Sequence, residues 1–112
     1  MDPETLENLK TTKPKAVTHI TLQRAVDLGE YDPEYLASFS EWHDLTPHLQ
    51  WRMVHQAIKN RRTSLNVNWA EIANQPNYSQ KPHLKPIQES IERQLKQLQN
   101  DEESLQNYFL NK

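Results

Sequence analysis

The sequence contains a single glycine, Gly29, in 112 residues. Glycine supplies the positive φ angles of tight β-hairpin turns and allows the backbone to approach phosphate groups closely. One glycine therefore excludes Gly-rich nucleotide-binding loops and disfavours an all-β fold. Seven prolines and many Gln, Glu, Lys and Leu residues instead favour helices separated by prolines. The sequence predicts an all-α fold, and its length suits one compact domain.

The first 20 residues form a predicted N-terminal segment, followed by a predicted helical domain that spans residues 21–112. Asp2 followed by Pro3 is typical of a helix start and predicts a short helix that ends near Leu9. The lysines, threonines and proline that come next indicate a linker, whose composition allows it to be flexible.

Two further short helices are predicted before the middle of the chain. Thr21 has the side chain of an N-cap, and Gly29 suits the left-handed position that follows the end of a helix. Asp32 followed by Pro33 repeats the helix-start signal. After a break, the helical pattern is expected to continue to about Leu45.

Two long helices are predicted in the rest of the chain. Thr46 and Pro47 begin the first one, because no proline or glycine follows before Pro76. This helix is expected to hold about 27 residues and to be about 40 Å long. The second is predicted from about Pro86 to Tyr108, and its proline is tolerated because it lies in the first turn.

Apolar residues recur at helical spacing along one narrow face of each long helix. On the first helix they are Trp51, Val54, Ile58, Leu65, Trp69 and Ile72. On the second they are Leu84, Ile87, Ile91, Leu95, Leu98, Leu105 and Phe109. Two such stripes predict an antiparallel helical hairpin with coiled-coil-like packing, flanked by the short N-terminal helices. A third helix or a second copy of the chain is expected to complete the core.

The formal net charge of -2 conceals a strong local asymmetry. Residues 25–44 contain six acids and no Lys or Arg, so their formal charge is -6. Residues 45–70 contain four Lys or Arg and no acid, so their formal charge is +4. The whole chain therefore has no net field that attracts nucleic acid or membrane, and any charge-based recognition has to be local.

A polar stripe lies beside the apolar face of the first long helix. We refer to its six members as the basic stripe: His48, Arg52, His55, Lys59, Arg62 and Asn66. Six donor-capable side chains with no acid among them suit an acidic protein surface or phosphate groups. Two other interpretations stay open, namely a solvated helix face and a face covered by the chain's own acidic segment, residues 25–44.

The candidate partner-binding residues combine the basic stripe with a neighbouring tryptophan. They are Trp51, Arg52, His55, Lys59 and Arg62. The two arginines and the lysine would pair with anionic groups. Trp51 is expected to pack in the core together with Trp42, and the alternative is that it is an exposed anchor for the partner.

These residues predict a small, non-enzymatic interaction protein with a regulatory or adaptor role, which docks a partner protein that has an acidic surface. Nucleic-acid binding through the basic stripe is the alternative function, and such binding would weaken steeply with salt. Self-association of the chain is also expected, because a narrow apolar stripe is only half covered by one helix.

The hairpin prediction also places one acid opposite the basic stripe. If the turn centres near Tyr78, antiparallel register brings Glu102 close to the level of Val54 and His55. Glu102 is then expected to pair with His55 or with Arg52.

Several other classes of site and protein are disfavoured. His48 and His55 are seven residues apart, about 10 Å along a helix, which is too far for one metal ion, so no metal or cofactor is expected. No nucleophile, base and orienting acid are brought together, so the chain is not expected to be an enzyme. The absence of cysteine fits the cytoplasm. No apolar run approaches the roughly 20 residues of a membrane span.

Two stretches carry a resemblance to known proteins. They are YDPEYLASFSEWHDLTPHLQWRMVHQAIKNRR and QESIERQLKQLQNDEESL, which together cover almost half of the chain. The chain resembles short, uncharacterised helical proteins of cyanobacteria. The resemblance implies a cytoplasmic bacterial setting and brings no activity, cofactor or functional residue with it.

Overall fold

The computed structural model of the protein describes residues 20–111. The predicted helix of residues 3–9 and the linker after it lie outside this range. All regular elements within residues 20–111 are helical, which confirms the all-α prediction for this part of the chain. They are α1 (Leu22–Asp27), α2 (Pro33–Leu36), a 3₁₀ helix (Ser40–Asp44), α3 (Pro47–Ala73), a second 3₁₀ helix (Tyr78–Gln80) and α4 (Leu84–Leu110).

Helix α1 is closed at both ends by the residues that the sequence indicated. The Thr21 hydroxyl accepts a hydrogen bond from the Arg24 amide (3.1 Å), as an N-cap does. Gly29 has a φ of 83°, and its amide donates to the Val26 carbonyl (2.9 Å). The Glu30 amide reaches back to the Ala25 carbonyl (3.0 Å), which completes a Schellman motif. The predicted role of Gly29 is confirmed.

The two long helices each have 27 residues. In α3 the Thr46 hydroxyl accepts from the Leu49 amide (3.2 Å), and Pro47 occupies the first helical position. Helix α4 begins two residues earlier than predicted, so that Pro86 lies within its first turn, where a missing amide proton has no cost. The connection between the long helices turns at Asn77, whose backbone is left-handed.

The core contains one face of each long helix and the buried side chains of the short helices. Its members are Leu22, Ala25, Val26, Leu36, Phe39, Trp42, Trp51, Val54, Ala57, Ile58, Leu65, Ile91, Leu98 and Phe109. The short helices therefore supply the third layer that the narrow stripes required. Trp42 and Trp51 are both buried, and each ring contacts Phe109, with centroids 6.3 Å and 6.0 Å apart.

Contacts between α3 and α4 are spread along both helices. Near the start of α3, Trp51 packs against Phe109 at the end of α4. Near the end of α3, the Trp69 indole nitrogen donates to a Glu92 carboxylate oxygen (3.0 Å) in the first half of α4. The two long helices are thus packed against each other over most of their length.

Two members of the predicted apolar stripes lie outside the core. Trp69 is 37% exposed and Ile87 is 46% exposed, so their prediction as core residues is wrong. Ala57 and Gln88 are buried instead. Ala57 belongs to the same core cluster as Ala25 and Val26 of α1, which packs against α3. Gln88 accepts a short hydrogen bond from the Tyr78 hydroxyl, which satisfies its amide oxygen away from water.

Candidate functional site

The basic stripe lies on α3 beside the face that packs in the core, as its spacing predicted. Helix α3 is uninterrupted from Pro47 to Ala73, so all six members project from one continuous helix. His48, Arg52, Lys59 and Asn66 are exposed, whereas His55 and Arg62 are half-buried. The stripe is therefore divided between residues that face solvent and residues that approach α4.

Trp51 belongs to the core and not to the exposed surface. Its side chain is 8% exposed, and its ring stacks on the His55 ring with centroids 5.1 Å apart and planes 13° apart. Phe109 covers another part of the ring. An aromatic residue that is enclosed in this way packs the fold and offers little area to a partner. Of the two interpretations of Trp51, the structure supports packing in the core.

Glu102 of α4 binds the two half-buried members of the basic stripe. One of its oxygens lies 2.5 Å from an Arg62 Nη atom, and the other lies 3.2 Å from His55 Nε2. The expected pairing with His55 is confirmed, but the second partner is Arg62 and not Arg52. Arg62 is one heptad beyond His55 on the same side of α3, so both side chains can reach the same carboxylate.

Arg52 and Lys59 are the two cations of the stripe that remain without an ion-pair partner within residues 20–111. Both are exposed, and they lie two helical turns apart, about 10 Å along the axis of α3. Cations that are solvated in the free protein keep their full charge available to a partner. This pair is therefore the part of the predicted site whose charge is not offset by an ion pair within residues 20–111.

The acidic segment, residues 25–44, has other contacts. Glu30 lies 3.9 Å from Arg61, which is on a different side of α3 from the stripe. Asp32 caps α2, and a Glu41 oxygen accepts from the Leu22 amide (3.3 Å). Within the described residues no acid of this segment lies within 4.0 Å of a cation of the basic stripe.

A groove that the sequence did not indicate lies beside the loop between α1 and α2. It has a volume of about 440 Å³ and is lined by residues of the α1–α2 loop, α3 and α4. In its wall, the Tyr31 hydroxyl donates to an Asp101 carboxylate oxygen (2.7 Å), and Arg61 donates to the Gly29 carbonyl (3.3 Å). Tyr31 and Asp101 are 70 residues apart, so no local pattern could reveal their contact.

Burial and then the hydrogen bond to Asp101 raise the pKa of Tyr31 to about 12 from its ordinary value of 10.0. The folded protein therefore retains the tyrosine proton at a pH where the unfolded chain releases it. The stability that Tyr31 contributes is fully present below pH 10 and is lost as the pH rises from 10 to 12.

We expect a Tyr31→Phe variant to lose less stability than the wild type across this pH interval, because phenylalanine has no proton to release. Urea unfolding at several pH values between 10 and 12 measures the effect. An identical decline in the two proteins would show that neither burial nor Asp101 holds the Tyr31 proton in the folded protein.

Replacing Glu102 by glutamine should lower the free energy of unfolding by about 0.5–1 kcal/mol, since Arg62 and Glu102 are both partly exposed to solvent. Glu103→Gln is the matched control, because it removes the same charge from the next, exposed position of α4. Urea unfolding of both variants, with Arg62→Gln to complete a double-mutant cycle, isolates the pairwise contribution. Equal effects of the two glutamate changes would contradict the pairing.

Two further features bear on the kind of protein this is. Within residues 20–111, no group of three or more His, Asp or Glu side chains is placed to hold a metal ion. In the same part of the chain, none of the helices combines the length and the apolar character that crossing a bilayer requires.

Comparison of the chain with protein-family models, with curated proteins and with solved structures finds no match.

Proposed function

We propose that this protein is a small, non-enzymatic adaptor or regulatory protein that docks a partner with an acidic surface through Arg52 and Lys59. One observation carries the proposal. Both cations are exposed, and neither has an ion-pair partner within residues 20–111. The sequence from residue 45 to residue 70 contains no acid that could neutralise them locally. An incoming carboxylate would therefore meet positive charge without displacing an internal partner.

We infer that α3 and α4 form an antiparallel hairpin with coiled-coil-like packing, and that this hairpin is the frame of the binding surface. The inference is supported by the pairing of Trp51 with Phe109 at one end of the helices and of Trp69 with Glu92 toward the other. A frame of this kind holds the Cα atoms of Arg52 and Lys59 at a constant separation. Carboxylates spaced by two turns of a partner helix would match that separation.

The other predicted site residues have supporting roles in this proposal. Trp51 packs beneath the stripe, and His55 stacks on it. Arg62 is engaged by Glu102, which leaves less of its charge for a partner. The docking contacts are thus assigned to Arg52 and Lys59, with the rest of the predicted set holding α3 in place.

The test is a double substitution, Arg52→Gln with Lys59→Gln, in tagged protein used to recover partners from its native host. Any partner that binds through these cations should lose at least about tenfold in affinity, which corresponds to about 1.4 kcal/mol. The control, Arg93→Gln with Lys96→Gln, removes the same charge from exposed positions of α4 and should leave binding unchanged. Equal affinity of the wild type and the Arg52 and Lys59 variant would refute the assignment.

Two simple measurements separate the remaining alternatives. Binding of DNA or RNA at low salt that weakens steeply as salt is added would favour the nucleic-acid function over a protein partner. Light scattering tests the expected self-association, because the monomer has a mass of 13.3 kDa.

The cytoplasm is the compartment that we propose, on the basis of the cysteine-free composition.

A further inference from the structure

The start of α3 presents an exposed apolar side chain between charges of opposite sign. Leu49, in the first turn of α3, is 39% exposed. Glu41 and Asp44 belong to the 3₁₀ helix that precedes α3, and Arg52 and Lys59 follow Leu49 on α3 itself. All four charged side chains are exposed. The surface charge therefore changes from negative to positive on passing Leu49.

The 3₁₀ helix is held beside the first turns of α3. The Gln50 side-chain amide donates to the Trp42 carbonyl (3.1 Å), and the Trp42 ring is buried in the core. Leu45, which directly follows the 3₁₀ helix, lines a groove of about 290 Å³ together with Leu49 and Arg52. The acidic end, the exposed leucine and the basic end thus border one continuous surface.

The charges of this surface have no ion-pair partners within residues 20–111. Asp44 lies five positions before Leu49, and Arg52 lies three positions after it. A surface of this kind, with an apolar centre between a negative and a positive side, is complementary to itself. A rotation by half a turn about an axis through the centre places each charge opposite one of the other sign.

We propose that this surface docks a second copy of the same chain in a twofold-symmetric dimer. The α3 helices of the two copies cross in antiparallel directions at Leu49, and the two leucines bury each other at the axis. Arg52 of each copy then meets Asp44 of the other copy. Lys59 and Glu41 extend the same charge pattern away from the axis.

This inference rests on the proposed function, because it identifies the acidic surface that Arg52 and Lys59 meet as that of a second copy. Twofold dimers are the commonest closed assemblies, and they use the same patch on both subunits. A patch that contains both signs of charge satisfies this requirement, whereas a purely basic patch would repel its own copy.

The mass of the purified full-length protein is the first measurement. In sedimentation equilibrium at low salt, we expect the mass to rise with concentration from 13.3 kDa towards twice that value. Added salt should weaken the dimer, because its charge pairs lie at the surface. A mass that stays at 13.3 kDa up to the highest soluble concentration would overturn the proposal.

Charge reversal tests the pairing between the copies. Arg52→Glu and Asp44→Lys should each weaken dimerisation by at least about tenfold, because like charges then face each other. An equimolar mixture of these two variants should form a mixed dimer with an affinity near that of the wild type, since every facing pair is again of opposite sign. Lys96→Glu, at an exposed position of α4, is the control and should leave the wild-type dimer unchanged.

Cysteine cross-linking tests the position of the axis without changing any charge. The chain contains no cysteine, so a single introduced thiol reports on one position. Under oxidation, Leu49→Cys should form a disulfide-linked dimer. Val67→Cys is the matched control, because Val67 is a 50% exposed apolar residue about 27 Å further along α3, and it should stay monomeric on a reducing-agent-free gel.

Two further outcomes would contradict the proposal. One is a dimer that neither charge reversal weakens, or a pair of reversed variants that fails to associate on mixing. The other is cross-linking at Val67 that is as efficient as cross-linking at Leu49. These experiments use the purified chain alone, so a monomeric protein would leave recovery of another acidic partner through Arg52 and Lys59 open. Conversely, a failure to recover such a partner from the host would not affect a measured dimer.

Discussion

Replacing Trp51 by alanine is expected to lower the free energy of unfolding by about 3–5 kcal/mol, the range for deleting a large buried aromatic side chain. The ring is 8% exposed and is enclosed by His55 and Phe109. Its removal would leave a cavity between α3 and α4 that side chains on two rigid helices cannot refill.

Trp69 provides the matched control for this experiment. It lies on the same apolar face of α3 by sequence spacing, but it is 37% exposed. Trp69→Ala should therefore lower the free energy of unfolding much less than Trp51→Ala does, even though it also removes a hydrogen bond to Glu92. Urea unfolding followed by circular dichroism measures both variants. If they were equally destabilised, Trp51 would not be the better packed of the two residues.

Replacing Gly29 by alanine is expected to lower the free energy of unfolding by about 2–4 kcal/mol, through two additive effects. The residue has a φ of 83°, where an L-residue with a Cβ is strained. The added Cβ would also lie 3.2 Å from the backbone nitrogen and Cα of Arg61, so α1 would have to move away from α3. The turn at Gly29 is thus required both for its own geometry and for close packing of two helices.

Asn77 separates these two effects, because it is the other described residue with a positive φ (59°). Asn77→Ala should lower the free energy of unfolding by only about 1 kcal/mol. This is the strain of a left-handed backbone, because the variant adds no contact to another helix. Thermal unfolding of both variants gives the comparison. An Asn77→Ala effect as large as that of Gly29→Ala would mean that contact with Arg61 contributes nothing.

The helices and their ends were predictable because the signals that specify them are local. A threonine hydroxyl caps the amide three residues later whatever the rest of the chain does, so Thr21 and Thr46 mark the starts of α1 and α3. Gly29 ends α1 because a left-handed residue is cheap only for glycine. Helical spacing likewise predicted that the basic stripe lies on one side of α3.

Burial was predictable only in part, because helical periodicity specifies an angle around the axis and not the neighbours at each level. Trp51 and Trp69 lie on the same side of α3, but only Trp51 is enclosed by other aromatic rings. Ile87 has core spacing and is still 46% exposed. The position of the surrounding elements along the axis decides which members of an apolar stripe are covered.

The contacts of the candidate site were likewise predictable only in part. The basic stripe itself is visible in the sequence, and so is the ability of Glu102 to reach His55. The second partner of Glu102, Arg62, depends on the exact register of two helices. The contact of Tyr31 with Asp101 joins residues that are 70 positions apart. Both contacts are outcomes of packing, to which no local spacing rule applies.

The amino-acid sequence by itself determined the all-α class, the capped starts of α1 and α3 and the row of cations on α3, because caps, prolines and helical spacing act over a few residues. Only the tertiary structure decided which of those cations have an ion-pair partner within residues 20–111. It buried Trp51, engaged His55 and Arg62 with Glu102, and left Arg52 and Lys59 exposed. The physical reason is that charge neutralisation and burial depend on distances between segments that are remote in the chain.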